Sequence, residues 1–358
     1  MSLRDELDAV IERIATDCCP LSQVRADAAG DPAATLRLWR QLVEAGLDRA
    51  TTPEMSGGAG LGWREVLPLV EAVGAFALPV PLAETLAARA LAARLDCALP
   101  DGAAGLVRLV PVAQSDGMAT GAAASGGAAG WLAASLAWPD RLASVVGVTA
   151  DGTVFVLDPA AAVREDSRNP AGELRSRASW RAADLGAAAG RLEPGIELFA
   201  GAALRAAQLA GAMRRVLAMT VDYASQREQF GRPIGRFQAV QQQLALMAEL
   251  TVQAGLGAEL AFSSDGLAFD PLRAASAKQV ASANALQCAA IAHAVHGAIG
   301  VTEDYDLQLF TRRLKAWAGE WGGASYWAGF IGRNLIAGPH ASVWHAVIEA
   351  SRMIDGDG

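Results

Sequence analysis

Tyr223 to Phe237 reads YASQREQFGRPIGRF and runs without a break into QAVQQQLALMAEL. Arg227, Gln229, Phe230 and Gly231 form the step R-x-Q-F-G, and Pro233, Ile234, Phe237 and Gln238 form P-I-x-x-F-Q. Physically this is a helix end, a Gly/Pro turn and a second helix start. Gly231 suits a residue just past a helix C-terminus, and Pro233 cannot continue that helix. In the segment that follows, Phe237, Val240, Leu244, Met247 and Ala254 recur at helical spacing, with Thr251 filling the gap. Gln241, Gln242, Glu249 and Gln253 face elsewhere, which is the pattern of a bundle seam.

Outward from this stretch the chain divides into three. Helices run from about residue 195 nearly to the end, including Leu272 to Ala294 and Leu307 to Gly319. Four antiparallel helices are their natural packing. From about 105 to 193 short alternating runs replace them: Gly105 to Val110, Ala143 to Val148 and Thr153 to Leu157. Asp151-Gly152, between the last two, is a strong hairpin signal. Before residue 100 the pattern is helical again. Leu38, Leu42 and Val43 share a face that ends at Gly46, and Leu78-Pro79-Val80-Pro81 breaks a later helix. The expected fold is α+β and mainly α: a helical domain over 4–104, a small β-sandwich or barrel over 105–193, and a C-terminal four-helix bundle over 194–358.

A length of 358 residues allows two or three packed units. The formal net charge of -8, with no block of Lys or Arg, argues against nucleic acid, whose affinity comes mainly from neutralising phosphates. Cys18, Cys19, Cys97 and Cys288 show no metal-ligand spacing, so no metal is expected and the thiols read as reduced and cytoplasmic. The start, MSLRDELDAV, lacks the cationic end and apolar run of a signal peptide. Gly117 to Trp138 is uncharged and mostly Ala, Gly and Ser, and it lacks the bulk of a spanning helix, so no membrane segment is expected. Ala50 to Trp63 is a Gly-rich loop, read either as a solvent loop or as a phosphate cradle, although it has no G-x-G-x-x-G and no Walker Lys.

With R-x-Q-F-G and P-I-x-x-F-Q in view, the chain resembles the acyl-CoA dehydrogenase family. Gly46-Leu47, Pro53-Glu54 and Gly57-Gly58-Ala59-Gly60 match the family's N-terminal loop, which joins helices there. His296-Gly-Ala-Ile-Gly-Val-Thr302 resembles its loop against the ADP half of the flavin, with Ala294 and Ala298 replacing the usual Gln and second Gly. The resemblance implies FAD, bound partly by a neighbouring subunit. Arg227 would hold the pyrophosphate, Phe230 would offer a ring face, and Gln229 and Gln238 would supply hydrogen bonds; His296, Gly297, Gly300 and Thr302 complete the implied cofactor set. The family's flavin-ring motifs in the β domain, T-E-P-x-A-G-S-D and W-I-T/S, are not written here, and Trp138 is the candidate place of the second.

The implied reaction needs a carboxylate that removes the proton α to a thioester, and an apolar pocket suits that carboxylate by raising its pKa. Counting from Gly300 puts Trp321 at the family's usual base position, next to Glu320. Counting back from Arg227 puts Gly201 at the position used by a minority, with Glu197 one helical turn away. Glu320 is the candidate base. The implied function is α,β-dehydrogenation of an acyl-CoA, with electrons passed to an electron-transferring flavoprotein, in a homo-oligomer (dimer or tetramer). The alternative is a non-catalytic subunit that shares a flavin site within a heterotetramer.

Overall fold

The computed structural model describes residues 2–31, 33–112, 130–264, 266–338, 342, 344 and 345. The N-terminal part holds α1 (Leu3–Cys18), α2 (Leu21–Ala28), α3 (Ala33–Glu44), α4 (Trp63–Ala75) and α5 (Leu82–Ala93). Then come β1 (Ala103–Val112), β2 (Gly130–Ala137), β3 (Leu142–Thr149), β4 (Thr153–Leu157), β5 (Val163–Arg168), β6 (Leu174–Arg181) and β7 (Gly190–Arg191). The C-terminal part begins with α6 (Ile196–Gln226), followed by a two-residue ribbon of β8 (Glu228–Gln229) and β9 (Arg232–Pro233). It continues with α7 (Gln238–Phe262), α8 (Pro271–His296), α9 (Leu307–Gly319) and α10 (Ala324–Ala337). The architecture is α+β and mainly α, as expected.

The strands form one seven-stranded sheet in the order β5-β6-β2-β1-β3-β4-β7. It is mostly antiparallel, but β1 and β3 run parallel through the pairs Gly105↔Val145 to Leu109↔Thr149. β3 and β4 are the hairpin signalled by Asp151-Gly152, and Gly152 takes φ 88° at its turn. Asp151 closes the turn by accepting from Thr149 Oγ1 at 2.5 Å and Thr153 Oγ1 at 3.1 Å.

Helix ends follow local chemistry. Ser2 and Asp5 form a capping box at α1, and Asp270 caps α8 by accepting from the Arg273 N–H at 2.8 Å, with Pro271 at the first helical position. α8 buries a face of Ala274, Ala277, Ala281, Ala285, Ala289 and Ala292, small enough for neighbouring helices to pack closely against it. The α7 seam lies where its periodicity puts it: Met247, Thr251 and Ala254 are buried, and Val240 and Leu244 pack against the core. On α3, Leu38 and Leu42 are buried but Val43 is exposed, because one step past Leu42 turns it off the inward stripe.

The closest backbone approach is between α4 and α6. A Cβ on Gly74 would sit 1.9 Å from Gln208 O, and one on Gly211 would sit 2.0 Å from Glu71 O. Each glycine therefore admits the other helix's backbone, and any side chain at either would force the two apart.

Of the uncharged Gly117 to Trp138 run, residues 117–129 lie outside the described residues, and Gly130–Ala137 is β2. Among the described residues, one helix, α7, is long and apolar enough to cross a membrane. Met247, Ala254, Ala258, Ala261 and Phe262 on it are buried in the main core, while Val252 and Leu256 stand exposed.

Candidate functional site

α6 ends at Gln226, and Arg227 caps it in extended backbone, its N–H returning to Tyr223 O at 2.8 Å. The next residues do not simply terminate a helix. Gln229 pairs with Arg232 across Phe230-Gly231, and those two residues take φ 53° and 73°. Two consecutive left-handed residues make a tight hairpin turn. Gly231 therefore serves the hairpin, and the expectation of a glycine directly past the helix is corrected. The hairpin projects: Phe230 is 91% exposed and meets only the edge of Phe237, at a centroid distance of 6.2 Å. Arg227, Gln229 and Gln238 are also exposed and make no side-chain hydrogen bond or ion pair among the described residues.

The second motif lies beside the first. The Tyr223 ring stacks on His296 at 4.4 Å, and its hydroxyl donates to His296 O at 3.3 Å. His296 is buried, with Nδ1 2.8 Å from Ala292 O and Nε2 without a partner. Burial pushes its pKa down, against the Ala292 carbonyl. Gly297 takes φ 62° with open space where a Cβ would point, and a Cβ on Gly300 would press against His296 Cβ at 2.8 Å. Thr302 donates its hydroxyl to Ile299 O at 2.8 Å.

The Gly-rich loop over 50–63 is self-contained. Gly58, Ala59, Gly60 and Leu61 donate their N–H groups to Pro53, Arg49, Thr52 and Ala50 carbonyls, so these donors are already committed within the loop. The phosphate-cradle alternative is set aside on that geometry, leaving a helix connection.

Between the sheet and the helices lies a cavity of about 180 Å³, bordered by α5, β1, β2, β6, α6 and the turn after α9. Glu320 faces it, but not in apolar surroundings. It accepts from Arg205 Nε at 2.9 Å, from Arg175 Nη2 at 3.1 Å and from Asn169 Nδ2 at 3.1 Å. Arg205 also binds Glu84 at 3.1 Å. Behind them Glu173 is fully buried, accepting from Arg175 at 2.8 Å and from Trp317 Nε1 at 2.9 Å, with Arg313 at 3.2 Å. Burial pushes the Glu173 carboxyl up, but the guanidiniums of Arg175, Arg313 and Arg205 outweigh it and hold it at about 2.

The two positions reached by counting are in contact. A Cβ on Gly201 would lie 2.1 Å from Trp321 Cδ2, so the indole covers the bare backbone of α6. Trp321 takes φ 56°, and its carbonyl accepts from Trp327 Nε1 at 3.0 Å. Glu197, one turn back, is 0% exposed, and neither of its oxygens has a hydrogen-bond partner. Burial pushes its carboxyl up.

Sequence reasoning passed over three residues. Lys278 on α8 is fully buried and donates to Ser282 Oγ at 2.7 Å and to the carbonyls of Gly322 at 2.9 Å, Ala318 at 3.0 Å and Trp317 at 3.2 Å. It thereby ties the last carbonyls of α9 to the turn that carries Glu320 and Trp321. Burial, then the charge of Arg205, pushes its pKa down to about 7. Arg108 on β1 lines the cavity. Trp131 sits on β2 opposite Pro111, whereas Trp138 lies past the strand end at φ 53°. Trp131 is the strand-borne tryptophan of this segment, and its signal was a lone Trp emerging from a Gly/Ala run.

Comparison with known proteins agrees with this geometry. Residues 197–327 match the sequence model of the acyl-CoA dehydrogenase C-terminal domain. Acyl-CoA dehydrogenase IpdE2 of Mycobacterium tuberculosis is 32% identical over 302 residues, covering 81% of this chain and 84% of its own. The chain belongs to the acyl-CoA dehydrogenase family. Acyl-CoA dehydrogenase FadE27 of the same organism is 31% identical over 332 residues, covering 84% of this chain and 88% of its own. Among solved structures, a G363A variant of the Tcur3481-Tcur3483 steroid ACAD superposes with TM-score 0.75 at 26% identity, over 93% of this chain and 98% of that one. The ChsE4-ChsE5 complex from Mycobacterium tuberculosis shares the fold, with TM-score 0.76 at 24% identity over 95% and 99%. This acyl-CoA dehydrogenase family member keeps the helix–sheet–helix order of the solved structures it resembles.

Proposed function

We propose that the protein is an FAD-dependent oxidoreductase of the acyl-CoA dehydrogenase type, acting on the α,β carbons of an acyl-CoA thioester. The observation that carries this reading is the Phe230-Gly231 hairpin. It presents Arg227, Gln229, Phe230 and Gln238 outward without partners, next to the Tyr223–His296 stack. A guanidinium fork suits a pyrophosphate, an exposed ring suits an aromatic face, and Gly297 leaves room for close approach. These residues fit the pyrophosphate half of FAD. Bound FAD supplies the hydride acceptor.

A hairpin that extends away from its own subunit reaches a cofactor held mainly by a neighbour, so an oligomer is part of the proposal. The Tcur3481-Tcur3483 and ChsE4-ChsE5 structures pair two named proteins, which supports either a second copy or a related subunit as the neighbour. An electron-transferring flavoprotein is the proposed acceptor of the electrons, and a cytoplasmic setting is proposed from the four free cysteines.

Glu320 is the proposed proton acceptor because it is the carboxylate beside Trp321 on the cavity wall. To act, it must exchange an Arg205 or Arg175 hydrogen bond for the α proton. The Gly201–Trp321 contact favours a second reading, in which this chain lends cofactor-binding side chains to a subunit that carries the base. Anaerobic titration of the purified protein with acyl-CoA, followed by flavin absorbance, separates the readings. Bleaching that is lost in Glu320→Gln supports the first. A flavin spectrum that never bleaches supports the second. Absence of flavin from the protein, both alone and co-purified with a related subunit, sinks both.

A further inference from the structure

Most of the charge lining the cavity is consumed within it. Glu84 is bound by Arg205, and Glu320 by Arg205 and Arg175. Arg108 stands apart from that network. It makes no hydrogen bond among the described residues; its Nε forms an ion pair with Glu197 Oε1 at 3.6 Å, beyond hydrogen-bond length. Its side chain is 40% exposed and borders the cavity. Glu197 does not offset this charge well. It is fully buried, and burial, opposed by the Glu197 and Leu198 backbone N–H groups and by Arg108, shifts its carboxyl toward the neutral form. A guanidinium whose Nη donors are uncommitted among the described residues, at a partly enclosed space, is built to take an oxyanion.

We infer that Arg108 recognises an oxyanion of the ligand that enters this cavity, a specificity-determining contact separate from Arg227 and the hairpin. Two groups share that chemistry: a carboxylate at the far end of the acyl portion, and the diphosphate of its carrier. The inference rests on the acyl-thioester reading of the ligand. It adds that the cavity selects for negative charge rather than for a purely apolar chain.

The test uses the full-length protein and isothermal titration with four probes. Butyryl-CoA and glutaryl-CoA differ by a carboxylate, and the same two acyl groups on N-acetylcysteamine lack the diphosphate. Wild type is compared with Arg108→Gln, which keeps most of the side chain's bulk, and thermal unfolding of the unliganded proteins checks that the fold is intact. If the carboxylate is read, Arg108→Gln weakens both glutaryl esters at least tenfold and leaves the butyryl esters unmoved. If the diphosphate is read, it weakens both CoA esters and neither N-acetylcysteamine ester. Equal affinity of wild type and Arg108→Gln for all four overturns the inference alone. Failure of wild type to bind any of the four overturns it together with the thioester reading.

Discussion

Lys278 offers a quantitative handle on the turn that carries Glu320 and Trp321. Its ammonium is buried among the carbonyls of Trp317, Ala318 and Gly322 and the Ser282 hydroxyl, and its pKa falls from 10.5 to about 7. At 1.36 kcal/mol per unit, that depression is on the order of 4–5 kcal/mol of cost for keeping the proton in the folded state. The folded protein sheds this proton near pH 7, whereas the unfolded chain keeps it to about pH 10.4. Within that window the unfolded state binds more protons, so stability rises with pH; below pH 7 the cost is present in full. Lys278→Met conserves volume and removes the titration, while leaving three carbonyls short of a donor at about 1–3 kcal/mol each. Urea unfolding of both proteins from pH 6 to 10 at fixed salt isolates the residue, because all other titrating groups are common to both. The wild-type stability is expected to climb relative to the variant by roughly 4 kcal/mol across the range. Parallel curves would refute the argument and mean that the ammonium is fully compensated by its oxygens.

Gly201→Ala places a methyl 2.1 Å from Trp321 Cδ2, so the indole must leave its seat. The expected cost is about 1–3 kcal/mol with a shifted tryptophan emission, and an unshifted spectrum would count against the packing described. Glu173→Gln strips the buried partner from Arg175 and Arg313, for an expected loss of about 3–5 kcal/mol in chemical denaturation. Because the Glu173 carboxyl is held at about 2, its stabilisation is present above the ordinary Glu value near pH 4.3 and is lost as pH falls toward 2; the variant's acid profile should lack that loss. Phe230→Ala changes a residue that is 91% exposed, so unfolding should move by less than about 0.5 kcal/mol. Its bound flavin and oligomer size, read by absorbance and light scattering, should fall, and retention of both would argue against the bridging hairpin.

The features readable from sequence are those set by neighbours along the chain. Asp151-Gly152 specified its hairpin because the turn needs a left-handed residue and a short acceptor, and both are local. The α7 seam was legible because a helix repeats every three or four residues, and the R-x-Q-F-G wording identified the family without showing that Phe230-Gly231 folds into a ribbon. The environment of Glu320 was not legible. Its guanidinium partners, Arg205 and Arg175, lie 115 and 145 residues away, and only the tertiary fold brings them in. The contact of Gly201 with Trp321 was hidden for the same reason, although counting had singled out both positions. Lys278 escaped because a single Lys within an Ala-rich helix carries no periodic signal of burial.

The interlocked glycines of α4 and α6 have a mechanical meaning. With Gly74 against the Gln208 carbonyl and Gly211 against that of Glu71, neither helix can slide along the other without a backbone collision. This contact fixes the register of the front helical part on the rear one. The sheet is tied to these helical parts by the largely buried Arg175–Glu320 and Arg313–Glu173 ion pairs and by Leu106, Val146 and Val148 packed into the main core. Bare backbone on one side and such charge pairs on the other share one property: added salt, which screens exposed charges, loosens neither by much.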